Sequence, residues 1–462
     1  MSPQLTNRSL VVVPEVMARP AYNTPVSEPG FGTTLRRIGG DTGTPIPVIG
    51  GSWHSDSRHG YSRRNPWNCD GTLAYIEQRG GTPSKMILDG KTWLPILGCT
   101  GNFKSCTEVR WHPTQRTVMV GYNKTAREIV VFDALNDNLI KRISVPFIWQ
   151  SSNGGFMGEG SLSDDGSMVC LGDESNNVCL VDITNGKVSP MQKVAFIRSP
   201  AGALGNITVS PLSTPAGGRV VAKMSNTPEL VHVYDFGADL MLRSRFESNL
   251  TLSHGDVGLT PGGREVFCGG SRTWFGAPGA FNPADGRIAA IDLENREILN
   301  ISAGTKQLGG EKEAADQHCS LRGPKGWVLT TYAGAQETSG QFLMELVAWK
   351  LDGSRECVRF GVTRTNETGF YRGEAHGVMR PDGKAVMFAS NWQWAANPKG
   401  ASSETKSFVY ELDGVIIQPP PPQARYWVNS AATYVPNGAI EDRATGRLVP
   451  LPDVARLLNG GR

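Results

Sequence analysis

The stretch SCTEVRWHPTQRTVMVGYNKTAREIVVFD has a shape that returns along almost the whole chain. A small polar loop leads into an apolar run, a tight turn follows, and a second and third apolar run come after it. Six relatives can be aligned with it: NPWNCDGTLAYI, GEGSLSDDGSMVCLG, GNITVSPLSTPAGGRVVAKM, HGDVGLTPGGREVFCGG, DQHCSLRGPKGWVLTTYAG and EAHGVMRPDGKAVMFASNW. Their turns fall near Asp70, Thr114, Asp165, Ala216, Gly262, Lys325 and Asp382. The spacing is roughly 45 to 60 residues, a period that signals stacked or radial repeats rather than unrelated domains. Third runs such as EIVVFDA, LVHVYDF and SFVYELD are followed by weaker fourth runs such as LIKRI, EILNI and VIIQP. All are short and either alternate or stay apolar throughout, as strands covered on both faces do. One such unit cannot bury its own faces, whereas a ring of them can. The expectation is therefore an all-β chain: a seven-bladed β-propeller of four-stranded antiparallel blades, with a short C-terminal extension.

Boundaries follow from the same pattern. Residues 1–30 read as an N-terminal extension, 31–420 as the propeller, and 421–462 as a C-terminal extension packed on it. The segment FGTTLRRIGG has strand character and should pair in the first or last blade to close the ring. With 55 glycines, 30 prolines and 19% charged residues in 462, composition suits many short strands and turns. A net charge of +3 with no Lys/Arg block argues against a nucleic-acid partner. No apolar run approaches the roughly 18 residues that span a bilayer, so no membrane partner is expected. The N-terminus shows no signal peptide, which leaves a cytoplasmic protein or a secreted one whose leader has been removed. The eight cysteines lack zinc-binding spacing. Cys99 and Cys106 could close a loop disulfide, while Cys170, Cys179, Cys268 and Cys357 read as buried thiols.

In a propeller the loops before each first strand open on one face, as do those between second and third strands. The lead-in positions of units two to seven hold Glu108, Glu159, Asn206, Asp256, His318 and His376, with His254, Asp316, Gln317 and Glu374 just ahead. Unit one brings Arg58, His59, Tyr61 and Arg63 to the same mouth. Five of the seven histidines (54, 59, 254, 318 and 376) thus precede a first strand. Long loops of the later units add Arg272, Trp274, Tyr332, Asn391, Trp392 and Trp394, and unit two adds Tyr122 and Asn123. Aromatic faces suit sugar rings and arginine suits carboxylates. Acids circling a narrow channel repel one another unless a cation offsets them. A divalent ion (manganese, calcium or zinc) held by Asp256, His318 and His376 is one solution. Trp67, Trp111 and Trp327 read as core.

The opening FGTTLRRI…SRHGYSRRNPWNCDGTLAYI and the histidine-bearing runs SHGDVGLTPGG, DQHCSLRGPKG and EAHGVMRPDG resemble the β-propeller polysaccharide lyases, including oligogalacturonate and ulvan lyases. The resemblance spans about residues 30 to 420. It implies β-elimination on a uronic-acid-containing glycan, with an acidic oligo- or polysaccharide as substrate. Oligogalacturonate lyases use a histidine-rich metal site with a glutamine ligand, which Gln317 beside His318 matches, although their closely spaced histidine pair is missing. Ulvan-lyase-like members rely on His, Tyr and Arg without a catalytic metal. On either pattern His254 or His318 is the expected base and Tyr332 the expected acid, with Tyr122 and Tyr61 in reserve. Arg272 and Arg58 would neutralise the carboxylate, and His59 joins the catalytic group. Arg63, Tyr61, Tyr122, Asn123, Trp274, Glu374, Asn391 and Trp392 would bind substrate. Other readings are a non-catalytic glycan- or protein-binding propeller, or a glycoside hydrolase recruiting Glu108 and Glu159 as its carboxylate pair.

Overall fold

A computed structural model describes residues 6, 17–146, 160–173, 175–196, 204–224, 230–274, 288–302, 317–332, 342–366, 373–393 and 404–412, together with two strands near the C-terminus; side chains at 272–274, at 317 and in those two strands are not among those described. Two strands, β1 (Pro25–Glu28) and β2 (Thr33–Arg37), precede the repeats. The first unit holds β3 (Asp56–Arg58), β4 (Leu73–Gln78), β5 (Lys85–Asp89) and β6 (Pro95–Gly98). After a short helix, Gly101–Ser105, the second unit holds β7 (Glu108–Trp111), β8 (Val118–Asn123), β9 (Glu128–Asp133) and β10 (Leu139–Ser144). In the third, β12 (Asn177–Asp182) pairs with β11 (Met168–Gly172) and with the short β13 (Lys187–Val188) and β14 (Gln192–Lys193). The fourth contains β15 (Leu204–Val209), β16 (Gly217–Met224), β17 (Val231–Gly237) and β18 (Arg243–Glu247). The fifth contains β19 (Leu250–Leu259), β20 (Glu265–Trp274), β21 (Ile288–Asp292) and β22 (Ile298–Asn300). The sixth contains β23 (Gln317–Ser320), β24 (Trp327–Tyr332), β25 (Glu345–Lys350) and β26 (Cys357–Val362). The last unit contributes β27 (Val378–Met379), β28 (Ala385–Ser390) and β29 (Thr405–Leu412). A separate compact unit, Pro420–Arg462, contains the antiparallel pair β30 (Ala439–Asp442) and β31 (Arg447–Pro450).

Within each repeat the strands pair antiparallel, chain neighbours together except that β13 and β14 of the third unit both pair with β12. Among the described residues, seven apolar clusters each join residues of two consecutive units. Val120 and Val169 share one between the second and third units, and Leu329 and Phe388 share one between the sixth and last. The cluster containing Trp53, Trp67, Ile76, Met387 and Val409 joins the last unit to the first. This closed series makes the fold a β-propeller and supports a count of seven. Trp67, Trp111 and Trp327 are buried within these clusters, as expected.

Closure differs in one respect from the sequence reading. The segment VIIQP, expected as the fourth strand of the last unit, lies outside the described residues. The place beside β29 is taken by β2, in register from Thr33↔Leu412 to Arg37↔Phe408. Strand β1, within residues 1–30, pairs with β2 and carries the sheet further outward. A parallel pairing of Thr405 and Lys406 with Asp56 and Ser57 links the last sheet to the first. Burial accompanies the closure. Arg364 forks onto Glu28 at 2.7 and 2.8 Å, and the Tyr410 hydroxyl donates to the same carboxylate at 2.9 Å. Cys99 and Cys106 are both free thiols, so no loop disulfide forms.

Replacing Arg364 by Met would leave Glu28 as an uncompensated buried charge. The expected loss is about 3–5 kcal/mol in urea unfolding; an unchanged midpoint would show that this network does not hold the N-terminal strands to the ring.

Candidate functional site: a histidine cluster at one mouth

Three histidines expected at one mouth do meet there. The rings of His254 and His318 have centroids 4.2 Å apart, and those of His318 and His376 are 4.6 Å apart. Backbone geometry explains the convergence. His254 and His376 have φ of 45° and 48°, in the left-handed region that few non-glycine residues occupy. At His254 the register between β19 and β20 also shifts, Ser253 facing Gly270 and Asp256 facing Cys268. A bulge of this kind re-aims the side chain it carries. His318 sits on β23 opposite Thr331 of β24.

Glu374 completes the group. Its Oε2 lies 3.4 Å from His318 Nε2 and 3.2 Å from His376 Nε2. Donor atoms about 2.0–2.2 Å from one metal ion stand about 3–3.5 Å apart, so these residues fit a divalent cation. The three donor atoms all lie within 4.8 Å of one another. The expected ligand Asp256 is engaged elsewhere. Arg322 forks onto it at 2.8 and 3.0 Å, and the backbone N–H groups of Leu321 and Val257 donate to it. Glu374, expected among the substrate-binding residues, stands between His318 and His376. The signal for it was available: it lies two residues before His376. The glutamine ligand that resemblance suggested, Gln317, has its backbone in β23, but its side chain is not among those described.

Residues 58–67 cross the axis of the ring. His59 Nε2 donates to the His376 carbonyl at 2.7 Å, and the Tyr61 hydroxyl meets His254 Nδ1 at 2.9 Å. Arg64 reaches Glu108 at 2.5 Å, Ser161 donates to the Arg63 carbonyl, and Trp111 donates to the Pro66 carbonyl. The Tyr61 ring also packs 4.4 Å from His376. Two of the expected channel acids pair with arginines: Glu108 with Arg64 and Arg110, and Asp256 with Arg322. Burial nonetheless pushes the Glu108 carboxyl upward, against these two guanidinium groups. Burial pushes His59 down to about 4, so its ring is neutral near pH 7. It is enclosed and bonded to backbone rather than facing the mouth. Arg58 donates to the Glu374 carbonyl at 3.2 Å and lies 3.6 Å from Asp56, while Arg63 sits 5.8 Å from the Tyr61 ring. Both arginines are buried behind the cluster.

Other expected site residues lie elsewhere. Tyr332 is fully buried, accepts a hydrogen bond from Trp349 Nε1 at 3.1 Å and packs on Phe342. Tyr122 lies in the apolar cluster between the second and third units. Asn123 accepts the Ala126 N–H in a turn. Asn391 exchanges hydrogen bonds with the backbone of Asn366. Trp392 stacks on Phe408 and donates to the Met17 carbonyl. Each of these is held by packing or hydrogen bonds within the fold. Arg272 and Trp274 lie in β20, but their side chains are not among those described, and Glu159, Asp316 and Trp394 lie outside the described residues. A cavity of about 410 Å³ opens at the turn end of the ring, lined by Trp111, Leu321, Lys325 and Trp327 among others. It contains none of the clustered histidines.

No protein-family model matches the chain, and no curated protein matches its sequence. Among solved structures, it is similar to an oligogalacturonate lyase in complex with manganese. The TM-score is 0.54 at 14% identity, over 85% of this chain and 96% of that one. A Kuenenia stuttgartiensis hydrazine synthase has a TM-score of 0.44 at 12% identity, over 76% of this chain and 96% of the other. The β-propeller domain of a Myceliophteria thermophila protein has 0.34 at 9%, over 60% and 95%. Neither of these two likenesses carries weight. The first adds to the internal geometry in showing the propeller fold.

Asp256→Ala should act on stability. It would leave the partly buried Arg322 guanidinium without its carboxylate, at a cost of about 1–3 kcal/mol in chemical denaturation. Full stability in this variant would return Asp256 to the list of candidate ligands.

Proposed function

We propose that the chain is a polysaccharide lyase that cleaves a uronic-acid-containing glycan by β-elimination. The observation that carries this reading is the convergence of His254, Tyr61, His318, His376 and Glu374 at one mouth of the ring. The likeness in fold to an oligogalacturonate lyase in complex with manganese supports it.

The C5 proton of a uronate is weakly acidic because the neighbouring carboxylate is already negative, so the added charge must be offset. A divalent cation held by His318, Glu374 and His376 would supply that charge as a Lewis acid. Two imidazoles with one carboxylate favour manganese or zinc over calcium, which prefers oxygen ligands. His254 and Tyr61 serve as the proton-transfer pair. In the tautomer whose Nδ1–H donates to the phenol oxygen, Nε2 is the base and the phenol O–H faces outward as the acid. His254 takes the C5 proton, the C5–H electrons form the C4–C5 double bond, and the C4–O4 bond breaks. Tyr61 gives its proton to the departing oxygen and recovers one from His254 Nδ1, so both residues end neutral. Tyr61 replaces Tyr332 in this role. Arg58 and Arg63 contribute positive potential from behind the site rather than a direct clamp. A hydrolase is disfavoured because Glu108, the acid it would recruit, is tied to Arg64 and Arg110.

Incubation with a panel of polyuronates should produce the ultraviolet absorbance of an unsaturated uronate. Tyr61→Phe and His254→Ala should each lower that rate by about 10²–10⁴-fold, the usual share of general acid–base catalysis. Glu374→Gln should abolish uptake of manganese in calorimetric titration. New reducing ends without the absorbance would establish a hydrolase, and binding without cleavage would establish a non-catalytic glycan receptor.

A further inference from the structure

The peptide that joins His376 to Gly377 is gripped at both ends by side chains from other units. Its carbonyl accepts the hydrogen bond from His59 Nε2 at 2.7 Å, and its amide donates to Thr331 Oγ1 at 2.8 Å. The preceding peptide is fixed as well, because the Ala375 carbonyl accepts from the Ala389 N–H at 2.8 Å. With both flanking peptide planes held, the direction of the His376 Cα–Cβ bond is set.

That direction is not one the chain adopts unaided. His376 has φ of 48°, a left-handed conformation that crowds a residue carrying a Cβ. Such conformations persist where the surroundings over-determine them. Gly377 lets the backbone come this close: a Cβ there would lie 2.4 Å from Leu346 Cδ2 and 2.9 Å from Thr331 Oγ1. The grip is itself anchored. The His59 N–H donates to Ser407 Oγ on β29 at 2.9 Å. Thr331 lies directly across the strand pair from His318. One hydroxyl thus ties the backbone of His376 to the strand that faces His318.

We infer that His59 and Thr331 are positioning residues: by clamping the His376–Gly377 peptide they hold His376 at the separation from His318 and Glu374 that a divalent cation requires. This rests on the cation reading proposed above. Neither residue touches the ion or the glycan. Their effect is to keep a strained ligand backbone in place before binding, so that binding does not have to order it. Outer partners of metal ligands typically contribute about 10–100-fold in affinity.

The test is manganese titration of the full chain, following unbound ion by electron paramagnetic resonance, with melting temperatures measured with and without manganese. Thr331→Val keeps the side-chain shape and removes the acceptor, whereas His59→Leu removes the donor. His59→Gln restores an N–H at comparable reach. The expected result is about 10–100-fold weaker manganese binding in Thr331→Val and His59→Leu, with most of it recovered in His59→Gln. The manganese-induced rise in melting temperature should shrink in the first two. A purely structural role would lower the melting temperature equally with and without manganese and leave affinity unchanged, which overturns the inference. Should His59→Leu fail to fold, Thr331→Val decides alone. Absence of manganese or zinc uptake by the unaltered chain would remove the cation reading and this inference together. Normal uptake with unchanged variants removes only the inference.

Discussion

A ring of sheets has no free faces only if its last member meets its first. In this chain that meeting is made by β2, which pairs along β29 and places the N-terminal segment in the final sheet. The apolar faces of the first and last units, including Trp53, Trp67, Met387 and Val409, pack together at this junction. Backbone pairing across the closure is reinforced by a buried ion pair, Glu28 with Arg364, under the hydroxyl of Tyr410. The rest of the structure depends on this closure, because the radial arrangement is what gathers side chains distant in sequence around one axis.

A closed ring also creates a channel, and a channel lined by first strands concentrates whatever charges those strands bring. Glu108 and Asp256 would destabilise one another in a narrow apolar wall. The segment 58–67 enters the channel and helps resolve this. Arg64 pairs with Glu108, while Arg322 from the sixth unit takes Asp256. The same segment supplies Tyr61 to His254 and His59 to the backbone of His376. One short loop thus neutralises the interior and orients the mouth. This explains why its histidine is enclosed and bonded to the backbone of a neighbouring unit.

Much of the fold was legible because the signals are local. Strand runs, turn residues and the repeat period are properties of adjacent residues, and apolar strands without helical periodicity have few ways to bury both faces. The pairing of FGTTLRRIGG with the first or last unit was legible for the same reason. The convergence of His254, His318 and His376 was legible once His318 and His376 were placed at the lead-in positions of their units and His254 just ahead of its own. The partners of those histidines were not. Asp256 and Glu374 both stand near a histidine, and choosing between them requires knowing that Arg322 reaches one of them. Tyr332 and Tyr61 are both tyrosines of loops or strand ends. One is enclosed by Trp349 and Phe342, and the other is carried across the axis.

Sequence alone determined the kind of architecture and the face of the ring on which imidazole would collect, because periodicity and strand order repeat the same environment at each lead-in position. Tertiary structure alone decided which acid stands between two histidines and which tyrosine meets the third. Those choices turn on distances of about 3 Å between residues that lie mostly tens to hundreds of positions apart, and hydrogen bonds and ion pairs are selective at that scale whereas sequence patterns are not.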